Sequence, residues 1–302
     1  MTTTNKYRGV VVPMVTPVKE NMFIDEEAVS KIIKSFDACS VSPLLMGTTG
    51  EGNSVSHDAA VTLVKAAAQA ATDRIVIYAG LTGNCFQEQV DQALAFARAG
   101  ANVIVATLPT YYALTPDQMY NYYIKLADAV TKPLMLYNIL ATTHMSIPVD
   151  VVKALADHPN IVGLKDSERD LDRMRECIAF SSSRPDFSFF CGWAAQSCGS
   201  LRMGADGIVP STGNFVPEMF ARLYEAATSG DWQQAEALQE ATDKIAKIYQ
   251  AGRTLGQSLA ALKVMMGTRG LCGPDMLMPL TRLTAEEEAE IVNEVINYNG
   301  NG

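Results

Sequence analysis

Short, nearly continuous apolar runs recur along the chain at intervals of roughly 20–30 residues, the spacing of βα units. They read VVVPMV at 10–15, SPLLMG at 42–47, RIVIYAG at 74–80, NVIVATLP at 102–109, PLMLYN at 133–138, NIVGLKD at 160–166, FSFFCG at 187–192 and DGIVPST at 206–212. Such runs, lacking apolar–polar alternation, predict strands buried on both faces. Between them the apolar positions take helical spacing, as in DEEAVSKIIKSFDAC, SHDAAVTLVKAAAQAA, CFQEQVDQALAFARAG and TPDQMYNYYIKLADAV. Boundary residues agree with that reading. Ser56 and Thr115-Pro116 suit helix starts, and Gly100 stands where a left-handed C-cap is wanted. Eight strands alternating with helices predict a (β/α)8 TIM barrel. An open doubly wound sheet is the rival, but it usually has fewer strands, and no GxGxxG follows the first strand here.

After residue 215 the pattern changes. Segments 217–252, 256–267 and 284–297 have helical patterning only. The predicted organisation is a barrel over 1–230, carrying the site, and C-terminal helices over 231–302. No Pro/Gly/Ser-rich linker separates the two parts, so the helices are expected to pack on the barrel.

Composition narrows the functional classes. The chain has 302 residues, 48% of them apolar, enough for a large core. Its formal charge is −9 and it has no basic run, which argues against nucleic acid or an anionic membrane as a partner. No apolar run approaches the length of a membrane span, and MTTTNKYRGV lacks the apolar core of a secretory signal. A cytoplasmic protein is expected. Cys39, Cys85, Cys177, Cys191, Cys198 and Cys272 form no CxxC and have no close His, which suits reduced thiols. His57, His144 and His158 are scattered, so neither a metal nor another cofactor is expected.

In a barrel, chemistry gathers at the C-terminal ends of the strands. Strand two ends in GTTGEG at 47–52, strand four in PTYY at 109–112 and strand five in Tyr137-Asn138. Strand six ends in Lys165-Asp166 and strand eight in Ser211-Thr212-Gly213-Asn214. Hydroxyls, a phenol and an amine are thus expected at one mouth. Lys165 is the anomaly, a cation closing an apolar strand. Desolvation there disfavours the ammonium, and a neutral amine attacks a ketone to give an imine that acts as an electron sink. Alternatively the lysine snorkels to solvent or pairs with Asp166. The glycines of GTTGEG permit close backbone approach, and its N–H groups with the Thr48 and Thr49 hydroxyls suit a carboxylate. A plain βα turn is the other reading, and Glu51 reads either as an acid–base group or as a buried carboxylate that fixes the turn. PTYY reads equally well as aromatic packing.

Taken in order, these motifs resemble the dihydrodipicolinate synthase / N-acetylneuraminate lyase family of pyruvate-dependent class I aldolases. The residues that carry the resemblance are GTTGEG at 47–52, Tyr111-Tyr112, Leu136-Tyr137-Asn138, GLKD at 163–166, GADGIVPSTGN at 204–214 and MPLTRLTAEEE at 278–288. They span essentially the whole chain. The resemblance implies a barrel with C-terminal helices, assembled as a homotetramer, a dimer of dimers. It implies a Schiff base between Lys165 and the ketone of pyruvate or a longer 2-oxo acid, with Tyr137 as general acid/base. Thr48 would relay protons between Tyr137 and Tyr112, the latter from a neighbouring subunit, with Tyr111 beside the relay. Thr49 and Gly50 would hold the pyruvate carboxylate. Gly192 and Val209 fall where the family's backbone lines the lysine pocket.

Departures bear on the second substrate. Synthases of the family carry an arginine five residues after the catalytic tyrosine, to grip aspartate semialdehyde. In YNILATTH that position is Thr142, which cannot replace a guanidinium. Leu140 replaces the usual proline, and His144 a usual glycine. Sialic-acid lyases usually have Gly-Tyr-Asp-Glu after strand seven, where this chain reads CGWAAQ. The resulting expectation is a lyase that cleaves a 4-hydroxy-2-oxo acid, such as a 2-keto-3-deoxy sugar acid, to pyruvate and an aldehyde. The alternatives are dihydrodipicolinate (4-hydroxy-tetrahydrodipicolinate) synthase, a dehydratase using the same imine, or a non-catalytic binding relative of the fold, against which the intact Lys165, Tyr137 and Thr48 argue.

Overall fold

Residues 7–300 are described by the computed structural model, so the first six residues of the stretch read against a secretory signal lie outside it. The strands are β1 (Gly9–Pro13), β2 (Ser42–Leu45), β3 (Tyr78–Leu81), β4 (Val103–Ala106), β5 (Leu134–Asn138), β6 (Ile161–Asp166), β7 (Ser188–Cys191) and β8 (Gly207–Ile208). All pair in parallel with their sequence neighbours, and β8 returns to β1, closing a barrel. The helices are α1 (Glu26–Ala38), α2 (His57–Ala70), α3 (Phe86–Ala99), α4 (Pro116–Ala129), α5 (Leu140–Thr143), α6 (Val149–Leu155) and α7 (Leu171–Ser182). They continue as α8 (Ser197–Met203), α9 (Pro217–Ser229), α10 (Trp232–Gln250), α11 (Leu255–Thr268) and α12 (Ala285–Gly300).

Local chemistry explains the boundaries. Ser56 caps α2 through Ala59 N–H, and Thr115 forms a reciprocal capping box with Gln118 at the start of α4. Gly100 ends α3 with φ 114°. The third strand begins later than the apolar run at 74–80. There the Val76 and Ile77 N–H groups donate to the side chains of Ser42 and Asn102, taking the place of ladder bonds. The eighth strand is only two residues long. Pro210, which has no N–H to give, follows it closely, and residues Ser211–Asn214 wind into a 3₁₀ turn.

Two apolar layers build the core. Val11, Leu44, Tyr78, Val105, Met135 and Phe190 fill the barrel interior, and the second layer lies between strands and helices. Asn214 completes the seam, accepting from Val15 N–H at 3.0 Å and donating to Pro13 O at 2.9 Å. Helix α10 packs on α9, and also meets α8, α11 and α12. The helices after β8 therefore lie against the barrel.

Candidate active site

The register of β5 and β6 sets Tyr137 beside Lys165 and Asn138 beside Asp166. Successive residues of a strand face opposite ways, so the first pair points into the barrel and the second outward. Lys165 is 3% exposed, with Nζ 3.6 Å from the Tyr137 ring centroid. It does not pair with Asp166. That carboxylate accepts from Arg173 Nε at 2.7 Å, from Glu168 N–H at 2.8 Å and from Asn138 Nδ2 at 3.2 Å. Burial pushes the Asp166 carboxyl up despite these donors. The outer pair thus pins the two strand ends whose inward neighbours are the amine and the phenol.

Burial alone would raise the Tyr137 phenol. The Lys165 charge, with the Thr48, Lys165 and Ser167 side chains, outweighs it and holds the phenol below the ordinary tyrosine value. The Thr48 hydroxyl lies 3.4 Å from the phenol oxygen. A lysine and a phenol in contact can divide imine formation and proton transfer between them.

Thr48 and Thr49 belong to the turn after β2. Gly47 O accepts from Gly50 N–H and Gly52 N–H, and Thr48 O from Glu51 N–H. Among the described residues, the N–H groups of Thr48 and Thr49 meet no acceptor. Gly50 is needed because a Cβ would stand 2.7 Å from Met14 O. Its carbonyl accepts from the Thr16 hydroxyl at 2.5 Å. Glu51 is buried, with its backbone in the left-handed region at φ 54°.

A cavity of about 330 Å³ opens beside Tyr137 and Thr48. Thr142 lines it, with Thr82, Thr107 and Thr110 among other neutral groups. The remaining expected residues are distributed as follows. Gly192 N–H donates to Asp166 O at 2.6 Å, and Val209 N–H donates to Cys191 O at 2.7 Å beside the interior layer. Tyr111 and Tyr112 do not enter their own chain's cavity. They stand 77% and 71% exposed, with ring centroids 4.9 Å apart.

The end of strand eight departs from expectation. Ser211 and Thr212 do not offer their hydroxyls to the mouth. Both meet the Tyr249 hydroxyl on α10, at 2.8 and 3.0 Å, because the 3₁₀ turn breaks the strand alternation. Five residues escaped the sequence reading. Ser167 faces the Tyr137 phenol, and its position two residues beyond Lys165 was the available signal. Lys263 on α11 meets Glu51. Leu255, Leu259 and Leu280, from the C-terminal helices and loop, line the cavity. Among the described residues no acidic, His or Cys cluster suits a metal ion, and no helix is long and apolar enough to cross a membrane.

A closed (β/α)8 barrel with a buried lysine and tyrosine side by side at its C-terminal mouth defines an enzyme of the barrel aldolase class. The model of the Dihydrodipicolinate synthetase family matches residues 6–297, and the chain belongs to that family of pyruvate-dependent class I aldolases, which are lyases. It is 30% identical over 286 residues to a 4-hydroxy-tetrahydrodipicolinate synthase of Hyphomonas neptunium, covering 94% of this chain and 96% of that one. The dihydrodipicolinate synthase structure from Bacteroides thetaiotaomicron superposes with a TM-score of 0.91 at 27% identity, covering 96% and 98% of the two chains. The chloride-inhibited dihydrodipicolinate synthase from Acinetobacter baumannii, complexed with pyruvate, gives 0.87 at 26% identity, covering 97% and 99%.

Proposed function

We propose that the protein forms a Schiff base between Lys165 and the ketone of a 2-oxo acid, and cleaves a 4-hydroxy-2-oxo acid to pyruvate and a neutral aldehyde. The observation that carries the aldehyde half of this reading is the cavity wall. Of the described residues lining it only Glu51 bears a charge, and Glu51 is taken by Lys263 and Leu277 N–H. A carboxylate-bearing aldehyde would meet no cation there, whereas threonine hydroxyls suit a hydroxylated tail such as that of a 2-keto-3-deoxy sugar acid.

In the forward cleavage the Lys165 amine adds to the C2 ketone and water leaves, giving the protonated imine. Tyr137 takes the proton of the 4-hydroxyl as the C3–C4 bond breaks. The aldehyde departs, and the bonding electrons pass through C3 to the imine nitrogen as an enamine. Protonation at C3 and hydrolysis release pyruvate and restore the amine. The free N–H groups of Thr48 and Thr49 suit the substrate carboxylate, with Gly50 shaping the turn. The exposure of Tyr111 and Tyr112 fits residues that serve a neighbour's site, and we assign Tyr112 to the proton relay through Thr48 within a homotetramer. Gly192 and Val209 line the lysine side.

The synthase reading is second. It is favoured by the names of the relatives, which are 4-hydroxy-tetrahydrodipicolinate synthases at about 30% identity. In it the same imine, as its enamine, would attack aspartate semialdehyde. One experiment tests both. Borohydride reduction in the presence of pyruvate should label Lys165, and labelling elsewhere, or none, sinks the imine mechanism. A panel of 2-keto-3-deoxy acids run against pyruvate with aspartate semialdehyde then separates the two reactions. Faster turnover of the semialdehyde would establish the synthase.

A further inference from the structure

Glu51 and Lys263 form a buried ion pair that the chemistry at Lys165 does not use. Their side chains are 0% and 1% exposed, and Lys263 Nζ stands 2.5 Å from Glu51 Oε1. The second carboxylate oxygen, Oε2, accepts from Leu277 N–H at 2.7 Å. Lys263 also donates to Asp275 O at 2.7 Å. Two carboxylate oxygens therefore join the turn after β2 to α11 and to the loop that follows it. Those same C-terminal elements present Leu255, Leu259 and Leu280 to the cavity.

Removing two charges from water is costly, and an apolar pair of similar size often serves stability as well or better. Stability alone is thus a weak reason for this pair. Its location offers a better one. Glu51 directly follows Thr48, Thr49 and Gly50, and its own backbone is held left-handed at φ 54°. A residue in that region costs energy unless its surroundings hold it. The ion pair with Lys263 and the hydrogen bond from Leu277 N–H supply that hold.

We infer that Glu51, gripped by Lys263 and by Leu277 N–H, is a positioning residue that fixes the Thr48–Thr49–Gly50 turn for the 2-oxo-acid carboxylate, so that the C-terminal helices set the affinity of a site on the barrel. The inference rests on the proposed pyruvate imine at Lys165. It predicts which substitutions matter. In E51Q/K263M the carbonyl of the introduced amide still accepts from Leu277 N–H, while its NH₂ group faces a methionine that makes no competing donation. In E51L/K263M the acceptor is gone. In E51Q alone, one carbonyl faces two donors and the NH₂ group opposes one of them.

The test measures the pyruvate concentration that half-saturates borohydride labelling of Lys165, with thermal melts to establish folding. E51Q/K263M should stay within about threefold of wild type, whereas E51L/K263M and E51Q should each need roughly tenfold more pyruvate, the worth of about one hydrogen bond. Maximal labelling should remain one adduct per chain. Equal half-saturation across the folded variants overturns the inference. So does failure of both broken-tie variants to fold while E51Q/K263M folds, since the tie is then structural only. A wild type that takes no label at Lys165 instead overturns the imine mechanism, before any variant is compared.

Discussion

Gly192→Ala offers a sharp probe of the phenol. A Cβ at position 192 would stand 2.1 Å from Ser167 Oγ, 3.1 Å from Ser167 Cβ and 3.0 Å from Asp166 O. The serine oxygen would have to retreat by more than 1 Å to reach ordinary contact, which begins near 3.4 Å. Asp166 O is backbone and already accepts Gly192 N–H at 2.6 Å, so the serine rotor gives way first. That rotation turns its hydroxyl from the Tyr137 phenol, which it helps to hold low. One such neutral interaction is worth about 0.5–1.5 kcal/mol, or roughly twofold to tenfold in rate.

Ser167→Ala removes the same hydroxyl and the worst of the clash together. G192A and S167A should each slow exchange of the pyruvate methyl protons with deuterated water, followed by NMR, by that factor. The double variant should be no slower than S167A alone, because the two changes act on one contact. With a stabilising partner lost, the phenol titrates higher, so the rise of the exchange rate with pH, which follows deprotonation of the Tyr137 base, should move to higher pH in both single variants. Additive losses, or a rise that moves to lower pH, would refute the assignment of Ser167 to the phenol.

Three further outcomes are expected. Thr142→Arg places a guanidinium on the cavity wall and should raise the preference for aspartate semialdehyde over a neutral aldehyde by about tenfold to a hundredfold, the worth of a charged hydrogen bond of roughly 1.5–3 kcal/mol; an unchanged ratio in a competing-substrate assay counts against the neutral-wall reading. His144 ends α5 in the left-handed region at φ 57°, so His144→Gly should stabilise by about 1 kcal/mol, or roughly 2 °C in Tm, relieving a conformation that costs side chains about that much; a lower Tm would mean the imidazole has a role of its own. Activity should survive exhaustive chelation if the proposed Lys165 imine is the electron sink; loss with EDTA and recovery with a divalent ion would move the protein to a metal-dependent mechanism.

The barrel was legible because its evidence is local and repeated eight times. Each apolar run announces a doubly buried strand, and caps such as Thr115 and Gly100 mark where the helices start and stop. Lys165 was legible for the opposite reason, as a lone violation of that pattern. Alternation then places Tyr137 and Lys165 inward and Asn138 and Asp166 outward, as the register has them. The same rule extended to Ser167 points it inward too. Applied to Ser211 and Thr212 it failed, because Pro210 ends the ladder and a 3₁₀ turn swings both hydroxyls to Tyr249. Alternation holds only while the strand does.

What stayed hidden in the sequence is long-range. Glu51 reads as a turn residue and Lys263 as one position in an otherwise apolar helix, ALKVMM. Neither position carries a local sign of the other, since helical spacing reports which face is buried and not what that face meets. Only the packing of α11 against the turn after β2 makes them a pair. The proposed aldehyde wall has the same character. Thr142 marks a missing cation at one position, but the claim that the cavity is neutral depends on every side that closes it, including Leu255 and Leu280 from beyond the barrel. The proposed imine chemistry therefore rests on residues adjacent on neighbouring strands, whereas the proposed choice of aldehyde rests on a surface assembled from segments distant in the chain.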